Sequence, residues 1–516
     1  MLAAAAPAAA RGFKYGVTAG EVTSSSAILW TRADRAGLVR LQVSRDRRFG
    51  RGVKSYRLRA RRADDNTVQR KAGRLKAGRR YYYRFIRSGS RRSSRGTFVT
   101  APKSSSTSTV KFAWSGDTDF TRQPGKKSSY WNGGGVFRRM ARERNAFNVH
   151  LGDTIYSDTE VPFPSGKLPP YALSVKQKWA KYRLNLGNRH LRRLRAAGGF
   201  YSHWDDHEFI NDFARPENRF DPSQDGPLLN TSGEALFKRG VEAFRDYAPI
   251  TYSSARGIYR RFRWGRNVEL FFLDERSFRD AKASKGGVCD NPDTGTRDFA
   301  PTAPQRIRNT FALISPSLAR PVPQACLDAI RDPNRDYLGD AQFNRFTKAI
   351  RSSKATWKIV MNEMPIQQYY VDPYDRWEGY AAERGRLLTF LRDNVKNAIF
   401  LTTDVHATLV NDARLSTFPE EGGTHNSGIF DFTVGPAATK NFAQEIDDEL
   451  KRPGSGILAR DAFLKQPPPN GPGMRCAVVD KFSYGEVRAT SSKLTVTPKG
   501  SDGKPLADCP ALTLSR

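Results

Sequence analysis

The chain has 516 residues, enough for two or three folding units with a well-buried core, and its 38% hydrophobic and 11% aromatic content excludes a disordered chain despite a mean hydropathy of −0.62. No stretch is apolar enough for a transmembrane helix. The 86 Lys and Arg against 52 Asp and Glu leave a net charge of +34, which favours phosphate-rich, polyanionic partners.

In chain order, the opening run Met1-Leu-Ala-Ala-Ala-Ala-Pro-Ala-Ala-Ala has the small residues that border signal-peptide cleavage sites, so a secreted or cell-envelope location is expected. From residue 12 to 101, short β-branched and aromatic runs (Ala27–Thr31, Val39–Val43, Tyr81–Ile86) separated by polar turns predict a small all-β sandwich. Residues 102–109 are Ser/Thr-rich and read as a flexible linker. Beyond it, apolar strands predicted at Val110–Trp114, Ala146–Leu151, Val268–Leu273, Trp357–Met361 and Ala398–Leu401 alternate with helices at Ala341–Ile350 and Glu383–Asn394. This alternation predicts an α/β catalytic domain over 110–482, with the functional site where the strands end. Residues 483–516 return to β alternation and are expected to pack on that domain.

Four cysteines, Cys289, Cys326, Cys476 and Cys509, lack CxxC spacing, which excludes a zinc ribbon. Their even number permits disulfides in an oxidising compartment, pairing of neighbours being the simplest of three connectivities.

The strand ends or adjacent turns release metal-type side chains: Asp117 and Asp119; Asp153, Tyr156 and Asp158; His203, Asp205, Asp206, His207 and Glu208; Asp404 and His406. Carboxylates or imidazoles at i and i+2 of an extended backbone aim at one point, and Tyr156 lies about one helical turn beyond Asp153. Three of the six histidines fall inside these clusters, and that concentration turns four individually ordinary turns into a candidate metal site. Arg276 and Arg279, after the Val268–Leu273 strand, could fork onto phosphate oxygens.

Gly152-Asp-Thr-Ile-Tyr156, Trp204-Asp-Asp-His-Glu208, Leu273-Asp-Glu-Arg-Ser-Phe-Arg-Asp280, Leu338-Gly-Asp-Ala-Gln342 and Asp404-Val-His406 occur in the order of the alkaline phosphatase D (PhoD-like) family of calcineurin-like metallophosphoesterases, which the chain resembles over nearly its whole length. Phe13-Lys-Tyr-Gly-Val17, Ile28-Leu-Trp-Thr-Arg32 and Tyr81-Tyr-Tyr-Arg-Phe85 resemble that family's fibronectin-like N-terminal domain. The resemblance implies a metallophosphoesterase-type layered β-sandwich flanked by helices, an α/β (α+β) fold preceded by a fibronectin/Ig-like domain. It further implies Asp153 bridging two metals, with Tyr156, Asp404 and His406 on one, typically ferric iron, and Asp206 on the other with Asp205 its competitor. Asn362 stands where a further ligand is expected, and His207 would contact phosphate and protonate the leaving oxygen. Asp117 stands where the family often has Cys; oxygen in place of sulfur hardens the site toward Ca, Mn or Mg beside Fe, with Zn also open. Asp119 replaces a superfamily histidine.

The expected activity is metal-dependent hydrolysis of phosphomonoesters or diesters by a monomer, through two metals and a metal-bound hydroxide. The substrates that suit the charge are teichoic acid, phospholipid headgroups or nucleic acid. The competing expectations are a non-catalytic polyanion-binding surface protein and a nuclease or phospholipase on the same fold.

Overall fold

The computed structural model describes residues 12–87, 92–159, 171–214, 231–312, 315–421, 425–468 and 471–516; the small-residue run behind the export expectation lies outside them. Seven strands occupy the N-terminal region: β1 (Val17–Gly20), β2 (Ala27–Arg32), β3 (Gly37–Ser44), β4 (Lys54–Ala60), β5 (Thr67–Ala72), β6 (Arg80–Ile86) and β7 (Gly96–Val99). The next ten described are β8 (Val110–Ser115), β9 (Phe147–Leu151), β10 (Gly199–His203), β11 (Arg260–Trp264), β12 (Val268–Phe272), β13 (Trp357–Met361), β14 (Ala398–Thr402), β15 (Thr408–Arg414), β16 (Asn426–Thr433) and β17 (Cys476–Val478). The chain ends in β18 (Ser483–Ala489), β19 (Lys493–Gly500) and β20 (Leu512–Ser515).

These strands build a nine-stranded sheet ordered β20-β19-β18-β8-β9-β10-β1-β2-β5, a seven-stranded sheet ordered β11-β12-β13-β14-β16-β15-β17 and a four-stranded sheet ordered β4-β3-β6-β7. The central strands β8-β9-β10 and β12-β13-β14-β16 run parallel, and strands buried on both faces read as continuous apolar runs, which is how the sequence shows them. The two large sheets share one core in which Phe147 meets Trp264 at 4.5 Å between ring centroids and Tyr201 stacks on Phe272. On the outer face of the nine-stranded sheet, helices Arg189–Ala197 and Gly233–Tyr247 cover Phe200 with Leu194 and Phe244; on the other, helices Asp340–Ser352 and Ala381–Asn394 cover Phe271 and Phe400 with Phe346 and Leu388.

The N-terminal region differs from the separate sandwich expected. Its β1 pairs parallel with β10 through Ala19 and Gly199, so β1, β2 and β5 extend the catalytic sheet and cover what would otherwise be an open edge beside β10. The linker is likewise fastened rather than free: Arg266 N–H donates to the Ser106 carbonyl at 2.6 Å, and the Asn267 side-chain amide donates to the carbonyls of Thr107 and Ser108 at 2.9 Å each. At the opposite edge β18 pairs antiparallel with β8. Disulfides join Cys289 to Cys326 and Cys476 to Cys509, the latter tying β17 to the segment before β20.

Gly485 on β18 faces the buried Trp114 ring so closely that a Cβ there would lie 2.0 Å from it, while the Trp114 indole N–H donates to the Thr402 carbonyl at 3.1 Å, two residues before Asp404. Gly485→Ala is therefore expected to lower stability by about 1–3 kcal/mol through overpacking. Chemical denaturation checks it, and a wild-type midpoint would contradict the packing described.

Candidate metal centre

Four loops leave the C-terminal ends of β8, β9, β10 and β14 at one end of the facing sheets. Their close approach depends on two glycines. A Cβ on Gly116 would lie 2.8 Å from the Leu151 carbonyl and from Thr403, and one on Gly152, which also holds φ +84°, would lie 2.7 Å from the Asp205 Cβ. Asn185 locks two of the loops together, its side-chain amide donating to the carbonyls of Thr118 (2.8 Å) and Thr154 (2.9 Å).

Asp117, Asp153, Asp404 and His406 all take left-handed backbone angles, with φ of 58°, 48°, 68° and 52°. Asp and His are among the residues that tolerate this region, at a cost of about 1–3 kcal/mol each. The extended i, i+2 geometry read from the sequence is thus replaced by tight turns. Asp117 joins the site, whereas Asp119 does not: its carboxylate accepts from Thr121 N–H (2.8 Å) and from the Thr121 and Thr159 hydroxyls.

Ligand atoms of Asp117, Asp153 and His406 lie within 4.8 Å of one another; so do those of Asp153, Asp206 and His207, and those of Asp205, Asp206 and Asp404. Asp153 belongs to two of the groups. The Tyr156 hydroxyl lies 2.9 Å from His406 Nε2, and the other ring nitrogen of His406 meets Glu445 on helix Phe442–Glu449. His207 stacks on Tyr156 at 4.0 Å between centroids, its Nδ1 on Asp158 Oδ1 at 2.5 Å, while Asp158 Oδ2 accepts from Asn211 N–H at 2.7 Å.

Burial pushes the Asp117 carboxyl up to about 7, with Asp205 adding repulsion and His406 opposing it. Burial and the surrounding carboxylates hold Asp153 and Asp404 well above the ordinary range, although His207 draws Asp153 down and Arg276 draws Asp404 down. Burial also raises Asp205, to about 6, even against the Arg276 guanidinium. Burial disfavours the His207 imidazolium, but Asp158, Asp153 and Asp206 together outweigh it and the net direction is upward. Asp117 Oδ2 and Asp205 Oδ2 are buried without a hydrogen-bond partner. A crowd of buried carboxylates with unpartnered oxygens, beside imidazole and phenol, is the donor set of hard or borderline cations, and the residues present fit a metal centre.

A cavity of about 560 Å³ opens onto Asp153, Asp206, His207, Asp404 and His406. Asp205 is absent from its wall: its carboxylate is turned to Arg276 Nε at 2.5 Å, so Asp206 is the cavity-facing member of the pair. The expectation that Arg276 and Arg279 grip substrate is corrected. Both are fully buried and outside the wall; Arg276 donates to Asp205, Asp375 (2.8 Å) and the Phe213 carbonyl, and Arg279 to Asp375. Arg276 also lies 3.6 Å from Asp206 and 3.8 Å from Asp404, which makes it a fixed counter-charge for the carboxylates. Arg297, Arg376 and Lys440 supply the cations of the cavity wall.

Asn362 lies outside the cavity wall, with its amide N–H₂ on the Met364 carbonyl and a buried Oδ1 that has no partner. His203 turns away from the ligand groups: its Nδ1 meets the Trp204 carbonyl at 2.8 Å and its ring stacks on Phe272. Sequence reasoning passed over Glu445, Asp375 and the supporting role of Glu208. The Glu208 carboxylate accepts from Thr154 N–H at 2.7 Å and Asp205 N–H at 2.8 Å, joining two ligand loops. Glu208 stood inside a noted motif; Glu445 and Asp375 lie in unremarkable stretches and carry no local signal.

Residues 126–497 match the family model described as PhoD-like phosphatase, and residues 1–102 that of the PhoD-like phosphatase N-terminal domain. The first match begins beyond Asp117. The chain is 25% identical to alkaline phosphatase D of Bacillus subtilis (strain 168) over 433 residues, covering 77% of this chain and 64% of that relative, so it spans less than two thirds of the relative's length. A solved structure of PhoD is similar at a TM-score of 0.72 and 20% identity, over 99% of this chain and 90% of that one. A purple acid phosphatase from yellow lupin (Lupinus luteus) seeds is similar at 0.56 and 12%, over 97% and 74%. Both similarities show the fold, two facing sheets flanked by helices.

Two outcomes follow from the electrostatics. Glu208→Gln sets an N–H₂ group against backbone donors, so metal affinity is expected to fall about 10–100-fold, as for other supports of ligand loops; metal titration followed by tryptophan fluorescence reads it. The raised carboxyls, Asp117 and Glu208 to about 7 and Asp205 to about 6, hold protons in the folded protein that unfolded carboxyls release near pH 4. The native state then binds more protons across that window, so their contribution is present below about pH 4 and lost as pH rises toward 7. Metal-stripped protein is therefore expected to gain more in melting temperature from added Mn or Ca at about pH 7.5 than at about pH 5. Equal gains would contradict it.

Proposed function

The chain belongs to the PhoD-like phosphatase family, and on that premise we propose that it hydrolyses phosphate esters at two cations bridged by Asp153. The observation that supports this most is that Asp153 is common to two ligand groups reaching out from different loops. In this reading Asp117, Tyr156, Asp404 and His406 hold one cation, with Fe the family-like choice, and Asp206 with the unpartnered oxygen of Asn362 serves the other, with Ca, Mn or Mg suited to its oxygen donors. The pair would supply Lewis acidity for the phosphate and for an activated water.

The protein's own groups do the rest. Asp158 holds His207 Nδ1, fixing the ring beside Asp153 and Asp206; kept protonated by these carboxylates, His207 is placed to give a proton to the departing ester oxygen. Lys440, Arg297 and Arg376 on the wall offer charge to further anionic parts of the substrate, while Phe299, Tyr369 and Phe442 reduce its contact with water. A cavity of about 560 Å³ is far larger than a phosphate group and accommodates an ester with a substantial leaving group or a polyanionic chain. The two disulfides and the small-residue N-terminus support an exported, monomeric enzyme, and the seven-stranded N-terminal region is read as fibronectin-like.

Assays with p-nitrophenyl phosphate, bis-p-nitrophenyl phosphate, phospholipid and DNA, with metals stripped and restored, test the proposal. Restored protein that hydrolyses none of them leaves the non-catalytic polyanion-binding reading in its place. Asp153→Ala is expected to abolish turnover. His207→Asn is expected to cost about 10²–10⁴-fold in kcat, most on esters whose leaving group needs a proton. A loss equal for good and poor leaving groups would remove His207 from the proton-donor role.

A further inference from the structure

Charge is distributed unevenly along the chain. Between residues 12 and 101 there are 24 Lys and Arg against 5 Asp and Glu, a net +19 of the chain's +34 in less than a fifth of its length. Twenty of those cations are arginines.

The four-stranded sheet β4-β3-β6-β7 gathers part of this charge on one face. Its inner face, with Val39, Leu41, Tyr83 and Phe85, packs into the core. The alternate residues face outward: Arg57 and Arg59 on β4, Leu38 and Arg40 on β3, Arg80 and Arg84 on β6. Arg40 stands directly opposite Arg57 in the strand register, a like-charge pairing that weakens a sheet. Among the described residues Arg40, Arg57, Arg59 and Arg80 form no ion pair, and no carboxylate is carried by the outward positions of β3, β4, β6 or β7. At their centre Leu38 is 69% exposed.

We propose that this face docks the protein onto an anionic lipid bilayer. Cationic side chains near an anionic leaflet are attracted additively within a Debye length. The exposed leucine among them supplies the apolar contact that an interfacial surface inserts between headgroups. Single-stranded nucleic acid fits less well, because it calls for open aromatic faces, whereas here the Arg84 guanidinium covers Phe49 at 4.2 Å and Arg95 lies 5.8 Å from the Tyr82 ring centre. A phosphate polymer without bases would use the arginines and have no use for Leu38.

Sedimentation of the full chain with phosphatidylcholine vesicles, with and without about one third phosphatidylglycerol, tests the proposal at physiological salt. Binding only to the anionic vesicles is expected. The triple variant R40Q/R57Q/R59Q should bind about a hundredfold more weakly, and Leu38→Ser, which leaves the charge unchanged, severalfold more weakly. Hydrolysis of soluble p-nitrophenyl phosphate by both variants should match the wild type, which separates lost docking from lost folding. The proposal is overturned if anionic vesicles are not bound, if Leu38→Ser binds them like wild type, or if the triple variant loses affinity for DNA or polyphosphate but not for vesicles. Vesicle binding requires no turnover, so its failure and failure of the hydrolase reading are distinguishable.

Discussion

Carboxylates moved out of water beside one another repel, and the loops after β8, β9, β10 and β14 bring Asp117, Asp153, Asp205, Asp206 and Asp404 into that situation. Protonation relieves part of the repulsion, Arg276 relieves another part from beneath, and bound cations would relieve the rest. Much of the surrounding architecture serves to keep these groups from moving apart. Glu208 and Asn185 tie loop to loop, Gly116 and Gly152 let backbones approach where a Cβ would collide, and four ligand residues accept left-handed turns. A chain selected for stability alone would replace such a cluster, since buried like charges favour unfolding or protonation.

The same separation of roles explains the arginines. Those in the interior, Arg276 and Arg279, spend their donors on carboxylates and backbone carbonyls and act as scaffold. Cations that reach the cavity come from other elements, Arg297, Arg376 and Lys440, so the groups that hold the site and the groups that face a ligand are distinct sets. On the N-terminal sheet the arginines are neither: they are exposed, unpaired with acid and set against one another.

Several elements were legible before the fold. The strands β8, β12, β13 and β14 read as apolar runs ending in polar turns because parallel strands buried on both faces leave no room for polar alternation. Asp153, Asp206, His207 and His406 were legible for a different reason: each sits in a dense local cluster of ligand types directly after such a strand. Glu445 and Asp375 were not, because each meets its partner across the fold from a segment whose own composition is ordinary.

The sequence by itself determined which side chains could hold cations and that they follow strands, because residue type and local periodicity are properties of the chain. Only the tertiary structure decided how they are shared out: that Asp206 faces the cavity while Asp205 turns to Arg276, that Asp119 is used up in a turn, and that β1 continues the catalytic sheet. These outcomes depend on left-handed turns and on sheet edges seeking partners far along the chain, and neither leaves a mark at the residue concerned.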